Sequence, residues 1–362
     1  MRIRPSAALL ILAAATMTLL TSCAGSARPG PAHGSASGGA ATTTAPTQSP
    51  AATPSPAPRP DTGSIGAYTV RQLQLSFVRA ASVGPDGRAL GDRKLPTAVR
   101  IPASARLPGG ASGPATGPFP LVVFAPGYRQ CPKMYAHLLN AWASAGYVVA
   151  AVTFPLTNCH VPAADALEDV QYQPADVSYV IRRLLALTKK PSSSLAGLVN
   201  PRKVAVAGHS DGGDTVAAMA GNTCCVDHAV VAAVVLAGAA FPALGGTYFG
   251  PGSPPTLFVQ GSLDPINQPV ESVKLYDADS TGIRYYLNIF GADHLNPYEG
   301  NGAQEHLVAR VTVAFLDRYL AGQRAAGADL LRHGDVPSVA QIFTGTAGLP
   351  LPSPVPVPSG SG

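Results

Sequence analysis

One run constrains this chain more than any other: Lys203-Val-Ala-Val-Ala-Gly-His-Ser-Asp-Gly-Gly213. Val204 to Ala207 is short and apolar, the pattern of a buried strand. Gly208-His209-Ser210-Asp211-Gly212 follows, and then Asp214 to Ala220, a small-residue helix ending near Gly221. A strand that turns directly into a helix leaves little room. Gly208 and Gly212 remove the side chains that would collide there, and the serine between them is held in a strained backbone. The turn lifts the Ser210 hydroxyl above the sheet. It stands at a helix N-terminus, whose free N–H groups face any negative charge that develops. A serine so presented is a candidate nucleophile. His209 adjoins it, but a neighbour on such a turn points away from the hydroxyl, so His209 reads as a packing residue.

Not all of the 362 residues can fold. Residues 1–22 read as an export signal, with Arg2 and Arg4 as its charged start and Ala7 to Leu20 as its apolar run. That run is shorter than the ~20 residues a spanning helix needs. Leu20-Thr21-Ser22-Cys23 resembles the bacterial lipobox. The resemblance implies cleavage before Cys23, lipid on its sulfur, and an exported protein tethered to the outer face of the cell membrane. Without that processing, the protein would be secreted. Residues 23–62 are Ser, Thr, Ala, Pro and Gly with almost no large apolar side chain, and read as a disordered stalk. Residues 345–362 read as a disordered, Pro-rich extended tail. The folding domain is therefore 63–344. A charged fraction of 12% and a net charge of +5 that includes Arg2 and Arg4 argue against a nucleic-acid partner.

Ala67 to Ala80 alternates apolar and polar residues as an edge strand does, Gly84-Pro-Asp-Gly87 marks a turn, and Lys94 to Ile101 is a second strand. These begin the sheet antiparallel. Leu107 to Pro118 is a Gly/Pro loop. Buried strands then alternate with helices. The strands are Pro120 to Ala125, Tyr147 to Phe154, the serine strand, His228 to Leu236, Thr256 to Gln260 and Ile283 to Phe290. The helices are Met134 to Ala145, Pro174 to Leu187 and Ala303 to Leu320, with Asp329 to Phe343 packed beside the last. The fold class is α/β: a mostly parallel central sheet with antiparallel N-terminal strands and helices on both faces. Ligands bind such sheets beyond the carboxyl ends of the strands.

A serine nucleophile needs a base, and the base needs an acid to orient it. In this architecture they follow in the order serine, acid, histidine. Gly261-Ser-Leu-Asp-Pro265 presents Asp264 after one strand, and Gly291-Ala-Asp-His-Leu295 presents His294 after the next. Asp293 reads instead as a cap on the following turn, His306 as a solvent-side helix residue, and His228 as lying at the wrong end of the sheet. His137 and His160 are near the upper face, but neither follows the acid in the chain. Two backbone N–H groups would hold the oxyanion, one from Asp211 and one from Tyr128, beside the permissive Gly127. The Tyr128 ring, Phe241 and Tyr248 are candidate walls of a substrate pocket.

With these residues in view, the chain resembles serine α/β-hydrolases of the dienelactone hydrolase, chlorophyllase and platelet-activating-factor acetylhydrolase-like group, which includes the cutinase-like polyester hydrolases. The matching pieces are Arg93-Lys-Leu-Pro-Thr97, Val122-Val-Phe-Ala-Pro-Gly-Tyr128, Ala145-Gly-Tyr-Val-Val149, Gln173-Pro-Ala-Asp-Val-Ser-Tyr179, Ala207-Gly-His-Ser-Asp-Gly-Gly213, Gly261-Ser-Leu-Asp264 and Asp293-His294. They span about residues 93 to 320. The resemblance implies the α/β-hydrolase fold and hydrolysis of carboxylic esters by Ser210, Asp264 and His294, with no metal or cofactor. Two departures stand out. Pro126-Gly127 replaces the His-Gly common in the oxyanion loop, and the short interval from Ser210 to Asp264 leaves no room for a large lid. The same three residues would also serve an acyltransferase or peptidase, and a non-catalytic binding lipoprotein could keep the fold.

Cys23 is assigned to the lipid, leaving Cys131, Cys159, Cys224 and Cys225. Cys131 and Cys159 both follow strand ends at the upper face, whereas Cys224 and Cys225 follow the serine helix at the lower one. The reach of a disulfide excludes bridges between the two ends. Cys131–Cys159 is therefore expected, and Cys224 and Cys225 are either a vicinal bridge or two thiols.

Overall fold

The computed structural model describes residues 64–106, 112–162, 167–280, 282–345, 347–350 and 352–356. The leader, Cys23 and the stalk lie outside the described residues. In chain order the strands are β1 (Tyr68–Arg79), β2 (Ser82–Val83), β3 (Ala89–Leu90), β4 (Arg93–Arg106), β5 (Ser112–Pro114), β6 (Phe119–Ala125), β7 (Val148–Val152), β8 (Val199–His209), β9 (Val230–Leu236), β10 (Thr256–Gly261), β11 (Arg284–Ile289) and β12 (Ala340–Thr344). The helices are α1 (Ala136–Ser144), α2 (Gln173–Lys189), α3 (Asp211–Gly221), α4 (Pro269–Ala278), α5 (Asn296–Glu299), α6 (Ala303–Leu316) and α7 (Ala326–Gly334).

The main sheet runs β1-β4-β7-β6-β8-β9-β10-β11-β12, with β5 alongside β4. Pairs from β7 through to β11 are parallel, while β1, β4 and β12 run antiparallel to their neighbours. The parallel centre follows from continuous apolar strands: every residue of β6, β7 and β10 is buried. Alternate side chains serve opposite faces. Leu121, Val123 and Val206 pack with α2, α3 and α4 through Val177, Ile181, Val216 and Tyr276. Val122, Phe124 and Ala207 pack on the other face with α1, α6 and α7 through Leu138, Trp142, Phe315 and Leu330. After β6 the chain moves to β7 on one side, then crosses back to β8 on the other. The carboxyl ends of β6 and β8 therefore flank the point where the winding reverses, and a crevice opens there.

Several segments differ from the sequence reading, among them α4, which it did not expect. Asp329 to Phe343 does not simply lie beside the closing helix: α7 ends at Gly334, and β12 then pairs antiparallel with β11. Its Ala-Gln-Ile-Phe-Thr is too short to show a clear period, and the unpaired edge of β11 decides its conformation. The loop before β6 contains the short strand β5. Within the tail, the described residues are extended but seated on the domain. Leu349 N–H donates to Asp277 Oδ1 at 3.1 Å, and the Val355 backbone exchanges two hydrogen bonds with the Gln268 side chain at 2.7 and 2.9 Å. An extended Pro-rich chain has unpaired backbone groups, and a glutamine facing them can satisfy both kinds. Among the described residues no helix is long and apolar enough to cross a membrane.

Candidate active site

Ser210 sits between β8 and α3 at φ 55°, ψ −125°, a conformation L-residues rarely hold. Its neighbours make the turn possible. A Cβ on Gly208 would lie 2.1 Å from the Gly212 carbonyl oxygen, and a Cβ on Gly212 would lie 1.9 Å from that of Ala125. The start of α3 is thus pressed against the end of β6. The Ser210 N–H donates to Leu236 O at 3.0 Å, and Ser210 O accepts the Asp214 N–H at 2.9 Å, the first bond of the helix.

The loops after β10 and β11 bring Asp264 and His294 to the same side. The Ser210 hydroxyl lies 2.9 Å from His294 Nε2, and His294 Nδ1 lies 2.7 Å from Asp264 Oδ2. A carboxylate only accepts, so Nδ1 carries the hydrogen and Nε2 is left to accept from the serine. Asp264 is fully buried and well supplied with donors. Gln260 Nε2 reaches its Oδ2 at 2.8 Å, and the N–H groups of Ile266 and Asn267 reach Oδ1 at 2.9 and 3.1 Å. Gln260 was not singled out by sequence.

The loop after β6 passes directly over the serine: a Cβ on Gly127 would come within 3.0 Å of Ser210 Cβ. Tyr128 follows on that loop, half-buried. The Arg129 N–H donates to Thr157 O at 2.6 Å, and Cys131 is joined to Cys159 with the Cα atoms 5.3 Å apart. The rim is therefore tied to the loop after β7 by a hydrogen bond and a covalent bridge. Cys224 is joined to Cys225. His160 lies near the Cys131 and Cys159 sulfurs, but sulfurs bonded to each other offer no thiolate to a metal.

Asp211, the first residue of α3, is held in tension. Its Oδ2 is buried and has no hydrogen-bond partner among the described residues. Burial pushes its carboxyl up to about 6, against the pull of His294. Burial also raises the Asp214 carboxyl, which accepts the Ala239 N–H at 2.6 Å. That bond fastens the start of the loop carrying Phe241 and Tyr248 to the first turn of α3. Its far part is fastened to the other end, where the Phe249 N–H donates to Gly221 O at 2.8 Å. Tyr248 props the loop from within, its hydroxyl accepting the Phe241 N–H at 3.2 Å.

The rival residues are elsewhere or otherwise engaged. Asp293 accepts the Leu295 and Asn296 N–H groups at 3.0 and 2.8 Å, capping α5. His306 and His137 line a separate cavity of about 600 Å³ beside α1 and α6, and His228 is exposed. His209 has a larger part than packing. It is fully buried, with Nδ1 2.9 Å from the Tyr135 hydroxyl and Nε2 2.8 Å from the His294 carbonyl oxygen. Burial and the neighbouring His294 hold it well below the ordinary histidine range.

No match to a curated protein reaches significance. A model of the PET hydrolase-like family matches residues 108–326. That stretch runs from ahead of β5 to the first residue of α7, and so takes in the strand ends that carry Ser210, Asp264, His294 and the loop over Ser210. The chain belongs to the PET hydrolase-like family of α/β-hydrolases and is a carboxylic ester hydrolase.

Proposed function

We propose that the chain cleaves esters through an acyl-enzyme on Ser210, with His294 as general base and then acid, and Asp264 as the anion that orients it. The observation that carries this reading is the continuous pair of contacts, 2.9 Å from Ser210 Oγ to His294 Nε2 and 2.7 Å from His294 Nδ1 to Asp264. Ser210 Oγ attacks the ester carbonyl carbon as its proton passes to Nε2. The N–H groups of Asp211 and Tyr128 receive the oxyanion, each worth about 3 kcal/mol to the transition state. Collapse expels the alcohol, which takes the proton from Nε2. Water then attacks the acyl-enzyme by the same route and releases the acid.

The family's description and the absence of a large insertion between Ser210 and Asp264 support a substrate that is long or bulky, an aromatic polyester of the PET kind among them. Tyr128, Phe241 and Tyr248 are proposed as its apolar walls. The charged and apolar leader with Leu20-Thr21-Ser22-Cys23 supports attachment to the outer face of the membrane through a lipid on Cys23. Intact-mass measurement after a fluorophosphonate probe tests the nucleophile: one adduct is expected on the wild type and none on Ser210→Ala. No adduct on folded wild type would sink the reading. Retention of the membrane fraction by Cys23→Ala would sink the anchor alone.

A further inference from the structure

With Ser210 read as the nucleophile, a buried chain of hydrogen bonds joins three backbone segments that the reaction needs in register. Donor accounting assigns the protons in it. The His294 carbonyl can only accept, so His209 Nε2, 2.8 Å away, carries a hydrogen. The ring is neutral, because burial and the adjacent His294 oppose its charging. Nδ1 is therefore bare, and the Tyr135 hydroxyl, 2.9 Å away, donates to it. The same hydroxyl oxygen accepts the Gly127 N–H at 3.2 Å. Glu299 is a second hydrogen-bond partner of the phenol, and after burial its charge and that bond raise the Tyr135 pKa. Were the phenol proton given to Glu299 instead, the bare Nδ1 would face the phenol oxygen at 2.9 Å lone pair to lone pair, so the proton is assigned to the Nδ1 contact.

The chain therefore has one direction: Gly127 N–H to Tyr135, Tyr135 to His209, His209 to the His294 carbonyl. Tyr135 and His209 are fully buried, so water cannot stand in for a missing link. Tyr298 lies against the His209 ring, 4.6 Å between centroids, but its hydroxyl donates to Val259 O and leaves both ring nitrogens to the chain. The ends matter. Gly127 precedes Tyr128, His209 precedes Ser210, and the last link ends on the backbone of His294. Packing alone does not require polar groups here. A phenylalanine would fill the Tyr135 site against Phe124, whose ring centroid is 4.7 Å away.

We propose that Tyr135 and His209 are positioning residues that clamp the oxyanion loop to the backbone of His294 beneath Ser210. They set the spacing between the Tyr128 N–H and the imidazole, and touch no substrate themselves.

The test uses the whole mature chain. In wild type, long-range ¹H–¹⁵N spectra are expected to show His209 with Nε2 protonated and Nδ1 bare. Tyr135→Phe is expected to lower kcat about 10- to 100-fold with KM within about threefold, the effect of a misplaced reacting geometry. Trp142→Phe is the control for lost stability. It removes a buried hydrogen bond to Thr312 in the same core, and kcat should stay at the wild-type value. A His209 ring protonated on Nδ1, or wild-type kcat in Tyr135→Phe, overturns the clamp. The spectra decide the matter even if Tyr135→Phe fails to fold. A wild type that takes no fluorophosphonate adduct would instead remove the nucleophile on which the clamp rests, so the two failures are told apart.

Discussion

Asp211 has two parts that pull against each other. Its N–H is one of the two donors proposed for the oxyanion, while its carboxyl brings negative charge to the residue next to the proposed nucleophile. Burial pushes that carboxyl up to about 6, above the ~3.9 of an unfolded aspartate. The folded state then holds the proton more tightly, so this contribution to stability is present at low pH and is lost as pH rises through about 6. Asp211→Asn is expected to be more stable than wild type by on the order of 2 kcal/mol at pH 7.5, with the difference shrinking toward pH 4. Denaturant titrations at the two pH values measure it, and equal differences at both would contradict the burial argument. For Asp264→Asn, an asparagine can hold the wrong tautomer of His294, and kcat should fall about 10⁴-fold with KM little changed. Ser210, Asp264 and His294 were legible because each stands just after a buried strand and the three come in a known order. His209 was not. Its part depends on a carbonyl that the fold brings from far along the chain, and no local pattern records such a meeting.

At the scale of elements, the start of β4 is locked to the start of α2. Arg93, buried, donates through Nη1 and Nη2 to Asp169 at 2.6 and 2.9 Å, and through Nη2 and Nε to Asp176 at 2.6 and 2.8 Å. Arg79 from β1 reaches Asp176 as well, at 2.7 Å. Asp176→Ala leaves two arginines short of a buried partner and should cost about 3–5 kcal/mol of unfolding free energy. Activity per folded molecule should hold, since no member of the cluster touches Ser210 or His294. Arg93 and Asp176 could be quoted from sequence as matching pieces, but nothing in their spacing told that they pair. The bridge from Cys131 to Cys159 closes the rim in the same manner. Replacing both cysteines by serine should lower stability by roughly 2–4 kcal/mol in unfolding titrations. The elements that escaped the sequence are those whose conformation is imposed from outside. α4 is one short helix of ten residues held by Val273, Leu275 and Tyr276 against the sheet, and β12 is a strand because β11 has a free edge.

Over the whole molecule, the main sheet is covered on both faces and has β1 and β12 at its edges. Ending the chain at Asp335 would uncover β11, a strand of Tyr, Leu and Ile, as a template for another chain. Such a truncation should aggregate, with light scattering rising at concentrations where the full chain stays clear. The parallel core was legible from its continuous apolar strands, because little except a sheet buried on both faces tolerates them. The order of its strands has a kinetic consequence. The loop over Ser210, Ser210 itself, Asp264 and His294 hang on β6, β8, β10 and β11, each joined to the next across long stretches of chain. Contacts so remote in sequence form late in refolding, after the local ones. With Ser210 as the proposed nucleophile, its reactivity is a clock for the final step: a chain diluted from denaturant should regain helix before it regains a reactive serine.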